Sequence, residues 1–342
     1  MKKNDSFLRS ESSFFSKISL VNFLLDKVML LPIAALILGL VILIWSAGRF
    51  VAGASSLAKY CGLSSFLIGM IVVGFGTSAP ELAVSLFSAL ENSPELAIGN
   101  AYGSNIGNIA LILGVTAIIF PILVPKIAVR MDMPFLILAT LVSFLLLLDN
   151  SLSRIDGILL VLLFVLIIGI QIWYGMKQKS ETEENEKKSS LLVSVFWLIL
   201  GLGLLIGSSR LLVYGATSIA QALGVSDLLI GLTVVAIGTS LPELASSVIA
   251  AKKGDTALAL GNIVGSNILN SLIVVGIPAI IKPMNKIDPL ILHRDLPVMA
   301  FVTLLLFVFG CNFLGKSKIG RVKGFVLLGI YIAYTAYLVY SA

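Results

Sequence analysis

One short phrase occurs twice in this chain, each time inside an apolar run long enough to cross a bilayer. Gly74-Phe75-Gly76-Thr77-Ser78-Ala79-Pro80-Glu81-Leu82 is echoed by Ala236-Ile237-Gly238-Thr239-Ser240-Leu241-Pro242-Glu243-Leu244, at an offset of 162 (243 − 81). A carboxylate at membrane depth is expensive unless it is paired or neutralised, so a chain that places two there in register needs them. The match extends further at the same offset. Gly53, Gly62 and Gly69 correspond to Gly215, Gly224 and Gly231, and Gly99-Asn100 corresponds to Gly261-Asn262. The chain is therefore read as two copies of one unit.

Composition fixes the solvent of that unit. Of 342 residues, 58% are hydrophobic and 12% charged, and the mean hydropathy is +1.05, which excludes an ordinary soluble domain. Apolar runs recur along the whole length and leave no soluble domain to hold a separate activity. The formal charge of +6 sits in loops and ends, where it reports topology and not a nucleic-acid surface. Cys61 and Cys311 have no CxxC spacing and no matching cysteine in the other half; both are expected to be small buried hydrophobes. The basic start, Met1-Lys2-Lys3, is followed by no clear small-residue cleavage site, so no cleaved signal peptide is expected.

The expected fold class is an all-α membrane protein of ten transmembrane helices, arranged as two inverted five-helix repeats. An N-terminal tail covers 1–28, the first repeat 29–176, a cytoplasmic linker of mixed charge 177–190, and the second repeat 191–342. Spans are expected near 29–58, 65–90, 95–120, 132–148 and 155–175, then near 191–222, 226–251, 256–281, 296–313 and 319–341. Five is odd, so the second half enters the bilayer from the opposite side and the duplicated motifs face each other. Lys and Arg accumulate on alternate loops in the sense that puts both termini outside the cell membrane and the linker in the cytoplasm; the basic tail opposes this.

On a helix, Thr77, Glu81 and Ser85 share one face with Ser78 beside it, and Thr239, Glu243 and Ser247 repeat the stripe. Neither motif contains a Lys, Arg or His, so the missing partner of the glutamates is a cation. Pro80 and Pro242 release the carbonyls of Gly76 and Gly238 and are expected to kink or break each helix, adding main-chain oxygens of the kind hard cations such as Ca²⁺ require. In the next span Gly99, Gly103 and Gly107 form a smooth stripe expected to admit a close neighbouring helix, beside Ser104, Asn105 and Asn108. The second half carries Gly261 and Gly265 with Ser266, Asn267 and Asn270. The other acids fall in the tail, the linker or at segment ends. His293 is expected in a surface loop, Arg49 and Arg210 to reach toward the interface, and Tyr331, Tyr334, Tyr337 and Tyr340 to serve as interface anchors or packing.

At these residues the chain resembles the cation/calcium exchanger superfamily, specifically the prokaryotic sodium/calcium exchangers, whose two inverted repeats read G-T-S-x-P-E and G-N-x-x-G-S-N. Both are intact at Gly76 to Glu81 with Gly99 to Asn105, and at Gly238 to Glu243 with Gly261 to Asn267. The resemblance covers all ten expected spans and implies exchange of Na⁺ for Ca²⁺ by alternating access. It implies Glu81 and Glu243 as shared Ca²⁺ and Na⁺ ligands, with Thr77 and Thr239 at the same central site. Ser78 and Ser104 are implied at one flanking Na⁺ site and Ser240 and Ser266 at the other, joined by the carbonyls of Gly74 and Ala236; Asn108 and Asn270 complete the centre. Relatives that include potassium-dependent exchangers place aspartate at position 270, so Asn270 speaks against K⁺ cotransport. The linker is too short for the large Ca²⁺-sensing region of animal exchangers. Three Na⁺ per Ca²⁺, as the family implies, would move one charge per cycle, for which the membrane potential supplies about 2.3 kcal/mol per 100 mV.

The partners expected are Ca²⁺ and Na⁺, bound as transported substrates, and the lipid bilayer. No resident cofactor, nucleic acid or obligate protein partner is expected. The nearest alternative is a Ca²⁺/H⁺ or other divalent-cation exchanger of the same fold, since glutamates also carry protons. A passive cation channel fits inverted repeats with broken helices less well, and an intramembrane enzyme lacks a nucleophile and base. The long first and sixth spans, poor in polar ligands, are expected to slide across a four-helix core.

Overall fold

The computed structural model describes the backbone of residues 4–90, 94–177, 190–224, 236–311 and 317–341, and the side chains of 29–90, 96–177, 190–224, 237–311 and 317–340. Within these residues the chain is almost entirely helical. In order the helices are α1 (Asn4–Cys61), α2 (Ser65–Thr77), α3 (Ala79–Leu90), α4 (Leu96–Ile119), α5 (Ala128–Leu146), α6 (Arg154–Lys177), α7 (Leu191–Ala222), α8 (Ala236–Thr239), α9 (Leu241–Lys252), α10 (Thr256–Ile281), α11 (Ile291–Gly310) and α12 (Arg321–Ser341). Eight described helices are long and apolar enough to cross a membrane, and α2 with α3 makes a ninth candidate bent by 44° at its break. The seventh expected span is represented by α8 and α9, its first part at 226–235 lying outside the described residues, as does the linker at 178–189.

One correction concerns the ends of these elements. The first candidate span, Met29–Cys61, begins where expected, on a helix that is continuous from Asn4 with Pro32 inside it. Cys61 is exposed and Cys311 partly so, because each falls where a helix stops, at the last residue of α1 and just past Gly310. Neither is the buried hydrophobe expected. His293 is exposed as expected, although it lies in a π-helical turn, Ile291–Asp295, and not in a loop.

The helices differ sharply in what they touch. α10 and α4 are the most enclosed, while α6, α7 and α12 present most of their apolar surface outward, as a bilayer solvent allows. α1 and α7 pack lengthwise and antiparallel. The pairing is read from close backbone approaches: a Cβ on Gly39 would meet Leu212, on Gly53 Ser194 and Leu198, on Gly201 Phe50, and on Gly215 Pro32 and Leu36. Small residues let two apolar helices approach closely where lipid offers no hydrophobic drive to associate. At one point along the pair, Arg49 stacks over the Trp197 ring, 4.7 Å from its centroid, and over Trp45 at 5.5 Å, so its charge is eased by aromatic faces as well as by reaching outward.

The loops repeat across the halves. Ile122–Leu123 after α4 pairs antiparallel with Lys318–Ile319 before α12, and Met284, 162 positions beyond Ile122, pairs with Leu152 before α6.

Candidate ion-binding site

The proline motifs do break their helices. Ser78 (φ −80°, ψ 8°) separates α2 from α3, and Ser240 (φ −92°, ψ 9°) separates α8 from α9, so the same phrase gives the same backbone in both halves. The carbonyls freed by proline are not equivalent, however. That of Gly238 accepts a hydrogen bond from the Ser209 hydroxyl on α7 at 2.7 Å, which ties one of its two lone pairs to helix packing.

Each break carries its glutamate inward. Glu81 and Glu243 are both 1% exposed. Ser78 Oγ donates to Glu243 Oε1 at 2.9 Å, and Ser240 Oγ donates to Glu81 Oε1 at 3.3 Å. The serine of each half therefore holds the carboxylate of the other. The second oxygens, Glu81 Oε2 and Glu243 Oε2, are buried with no partner among the described residues. The main chain behind each glutamate is tied to the next span: Asn100 Nδ2 donates to the Glu81 carbonyl at 3.3 Å and Asn262 Nδ2 to the Glu243 carbonyl at 3.2 Å. The stripe hydroxyls are part of the same brace, with Asn100 Nδ2 3.4 Å from Ser85 Oγ and Asn262 Nδ2 2.7 Å from Ser247 Oγ.

The third layer is amide. Asn105 Nδ2 donates to the Asn267 carbonyl at 3.4 Å, and Asn267 Nδ2 donates to the Asn105 carbonyl at 3.3 Å, a reciprocal pair joining α4 to α10 at the 162-residue offset. Asn108 Nδ2 donates to Asn267 Oδ1 at 2.9 Å, while Asn108 Oδ1 and both polar atoms of Asn270 have no partner among the described residues although both side chains are buried. Unpartnered buried oxygens cost free energy unless something electropositive meets them. Two buried carboxylates, hydroxyls and amide oxygens, with no thiolate or imidazole among them, form a hard-oxygen donor set.

Asn270 apart, the described residues singled out as ligands are joined by hydrogen bonds here or line the adjoining cavity, but the serines are grouped differently. The resemblance implied Ser78 with Ser104 and Ser240 with Ser266. In the structure Ser266 Oγ donates to the Gly74 carbonyl at 3.1 Å, while Ser104 shares a cavity with Thr239 and Ser240. The reason is packing: α2 lies against α10 of the other half, and α8 against α4. Thr77 Oγ1 lies 3.0 Å from the Val73 carbonyl and 3.2 Å from Asn262 Oδ1. Ala236 opens α8, and nothing is described of its side chain.

That cavity, about 410 Å³, borders the site at Ser104, Thr239 and Ser240. Its lining includes Gly99, Gly103, Ser104, Thr239 and Ser240, together with Arg294, Asp295 and Tyr334. Sequence reasoning missed the last three. Tyr334 is no simple anchor, since its hydroxyl donates to Asp295 Oδ1 at 2.9 Å. The signal available was the Asp-x-Pro sequence that starts at both Asp132 and Asp295.

Comparison with known proteins agrees with this geometry. The family model described as "Sodium/calcium exchanger protein" matches residues 31–173 and 193–340. The chain is 46% identical over 322 residues to the putative antiporter CaxA of Alkalimonas amylolytica, covering 92% of this chain and all of that one. It is 30% identical to the sodium/calcium exchanger MaX1 of Methanosarcina acetivorans over 89% of this chain and 97% of that one. A solved structure of the sodium-calcium exchanger NCX_Mj soaked with Na⁺ and Sr²⁺ superposes with a TM-score of 0.79 at 34% identity, covering 90% of this chain and 98% of that one. The chain is thus a multi-pass membrane protein that belongs to the sodium/calcium exchanger family, within the cation/calcium exchanger superfamily.

Proposed function

We propose that this protein exchanges Na⁺ for Ca²⁺ across the cell membrane by alternating access, without K⁺, and that the reciprocal serine–glutamate hydrogen bonds mark the point where the two ions compete. One observation carries the reading: each carboxylate is held from the opposite half by one oxygen, and its other oxygen is buried without a partner among the described residues. Two ionised glutamates balance one Ca²⁺, and several Na⁺ can satisfy the same oxygens one at a time, so the two loads exclude each other in a poorly screened space.

In this reading Glu81 and Glu243 are the shared ligands, with Thr77 and Thr239 beside them and Asn108 and Asn270 completing the centre. Ser266 with the Gly74 carbonyl serves one flanking Na⁺ site, and Ser104 with Ser240 and the Ala236 carbonyl the other; Ser78 joins Glu243. Asn270 adds no third carboxylate, which favours K⁺ independence. The ions are cargo, and no resident cofactor is invoked. The architecture proposed is ten spans in two inverted repeats, 29–176 and 191–342, after a tail at 1–28, with the 177–190 linker cytoplasmic and both termini outside. The antiparallel course of α1 against α7 supports the inversion.

The test is ⁴⁵Ca²⁺ uptake into Na⁺-loaded proteoliposomes. Wild-type uptake should require the outward Na⁺ gradient and fall at least about 100-fold in Glu81→Gln and in Glu243→Gln, in keeping with the several kcal/mol at stake when a buried charge loses its counter-ion. Uptake that follows an imposed pH gradient and ignores Na⁺ would establish the proton-coupled alternative instead.

A further inference from the structure

A second acid lies buried outside the central site, and the repeat shows what it lacks. Asp132, 3% exposed, accepts a hydrogen bond at Oδ1 from Gln171 Nε2 at 2.9 Å, and Gln171 is itself 2% exposed. Asp132 Oδ2 and Gln171 Oε1 have no partner among the described residues. Both residues line a cavity of about 60 Å³ with Ser64, Met131 and Tyr174, room for a small ion with a few waters.

The corresponding acid in the other half is Asp295, offset by 163 (295 − 132), and its Oδ1 accepts from Tyr334 at 2.9 Å, as Asp132 Oδ1 accepts from Gln171. Met131 and Asp132 of the small cavity correspond to Arg294 and Asp295 of the large one, and Gln171 to Leu338 at the offset of 167 (338 − 171) that Gly157 and Gly324 set where they pack on Gly276 and Gly114. The two cavities are thus counterparts, one narrow and one wide. They differ in charge. Arg294 neutralises Asp295 through Nε to Oδ1 at 2.7 Å and a second guanidinium nitrogen to Oδ2 at 3.1 Å. Met131 stands where Arg294 would, so Asp132 keeps the carboxylate and loses the cation.

We propose that Asp132 and Gln171 form an outlying binding site for one Na⁺, which takes the place that Arg294 fills in the other half. The assignment is independent of the roles given to Glu81 and Glu243. A single carboxylate with a neutral amide oxygen and hydroxyls balances one positive charge; a divalent ion would leave an uncompensated charge in a buried space. A metal ion at this place would draw on both Asp132 Oδ2 and Gln171 Oε1, neither of which has a partner among the described residues. One access route would then carry an exchangeable cation and the other a covalently tethered one, which makes the two faces unequal toward Na⁺.

The test is ²²Na⁺ binding, by scintillation proximity, to the purified full chain at saturating Na⁺. The background is Glu81→Gln/Glu243→Gln, which removes the central charges. That variant should retain one Na⁺ per chain, and adding Asp132→Asn should reduce it to none. Met131→Arg, which supplies the cation from the chain and keeps the carboxylate, should also abolish it, so the result does not hang on Asp132→Asn folding. Absence of bound Na⁺ in the background, or retention of the full amount in Met131→Arg, would overturn the assignment. Failure of the proposed exchange function would appear elsewhere, as ⁴⁵Ca²⁺ uptake indifferent to Na⁺ and to the two glutamates.

Discussion

The two small-residue stripes share the phrase G-N-x-x-G-S-N-I, at Gly99 to Ile106 and Gly261 to Ile268, and differ in what is described around them. A Cβ on Gly261 would run into the Phe66 carbonyl, and one on Gly265 into that of Met70, so α10 is pressed against α2 with no space between. At Gly99 and Gly103, at the 162-residue offset, a Cβ would meet nothing within 4 Å among the described residues, and both glycines border the large cavity. The hydroxyls follow suit: Ser266 is fully enclosed, while Ser104 and Ser240 retain 7% exposure and Thr239 more. Among the described residues the repeated phrase thus packs on a helix in one half and borders a cavity in the other.

The sharpest way to break this comparison is to fill both stripes with the same side chain. Gly265→Val should cost more than about 3 kcal/mol, because backbone meets backbone there and nothing flexible can yield; the check is loss of monodisperse protein in detergent after mild heating. Gly103→Val should fold with a melting temperature near that of the wild type, since a Cβ there meets nothing within 4 Å among the described residues. If the first stripe must close in the other state, the same variant should lose most transport while staying folded, and ⁴⁵Ca²⁺ uptake measures that.

A smaller effect separates the crossed serines. Ser78→Ala and Ser240→Ala each remove one hydrogen bond to a carboxylate, worth about 1.5–3 kcal/mol, so each should raise the Ca²⁺ concentration for half-maximal uptake roughly tenfold or more. The shorter bond, 2.9 Å from Ser78 against 3.3 Å from Ser240, places the larger loss at Ser78. Equal and negligible effects would mean that the serines serve packing alone.

The smallest effect tests the carbonyl that proline frees. Ser209→Ala should leave the Gly238 carbonyl without its hydroxyl donor and lower stability by about 1 kcal/mol, read as a drop of a few degrees in melting temperature. Transport should persist if this carbonyl is structural, and Ca²⁺ affinity should change if it is a ligand.

Much of this was legible in the chain. The duplicated motif located both carboxylates, the proline predicted both breaks, and the Gly-Ser-Asn stripes named the side chains that surround them. Periodicity could not say that α2 packs on α10 of the other half, so the serines were grouped within the wrong neighbours. Nor could it show that Ser209 on α7 would take the Gly238 carbonyl, because a lone serine in an apolar run carries no address. Asp132 and Asp295 looked like the ends of spans. Each is held by a side chain, Gln171 or Tyr334, on a helix that begins more than 20 residues later, and only the shared Asp-x-Pro sequence ties the two aspartates together. The exposure of Cys61 was missed for a simpler reason: hydropathy reports where lipid is tolerated, not where a helix ends.

The central claim is that Na⁺ and Ca²⁺ take turns on the same two carboxylates. Its most direct measurement is displacement of ⁴⁵Ca²⁺ from the purified protein by rising Na⁺ at fixed pH. The account predicts complete displacement with a steep, cooperative Na⁺ dependence, and no specific ⁴⁵Ca²⁺ to displace in Glu81→Gln or Glu243→Gln. Calcium that stays bound at saturating Na⁺, or that binds with unchanged affinity when either glutamate is neutral, would contradict it.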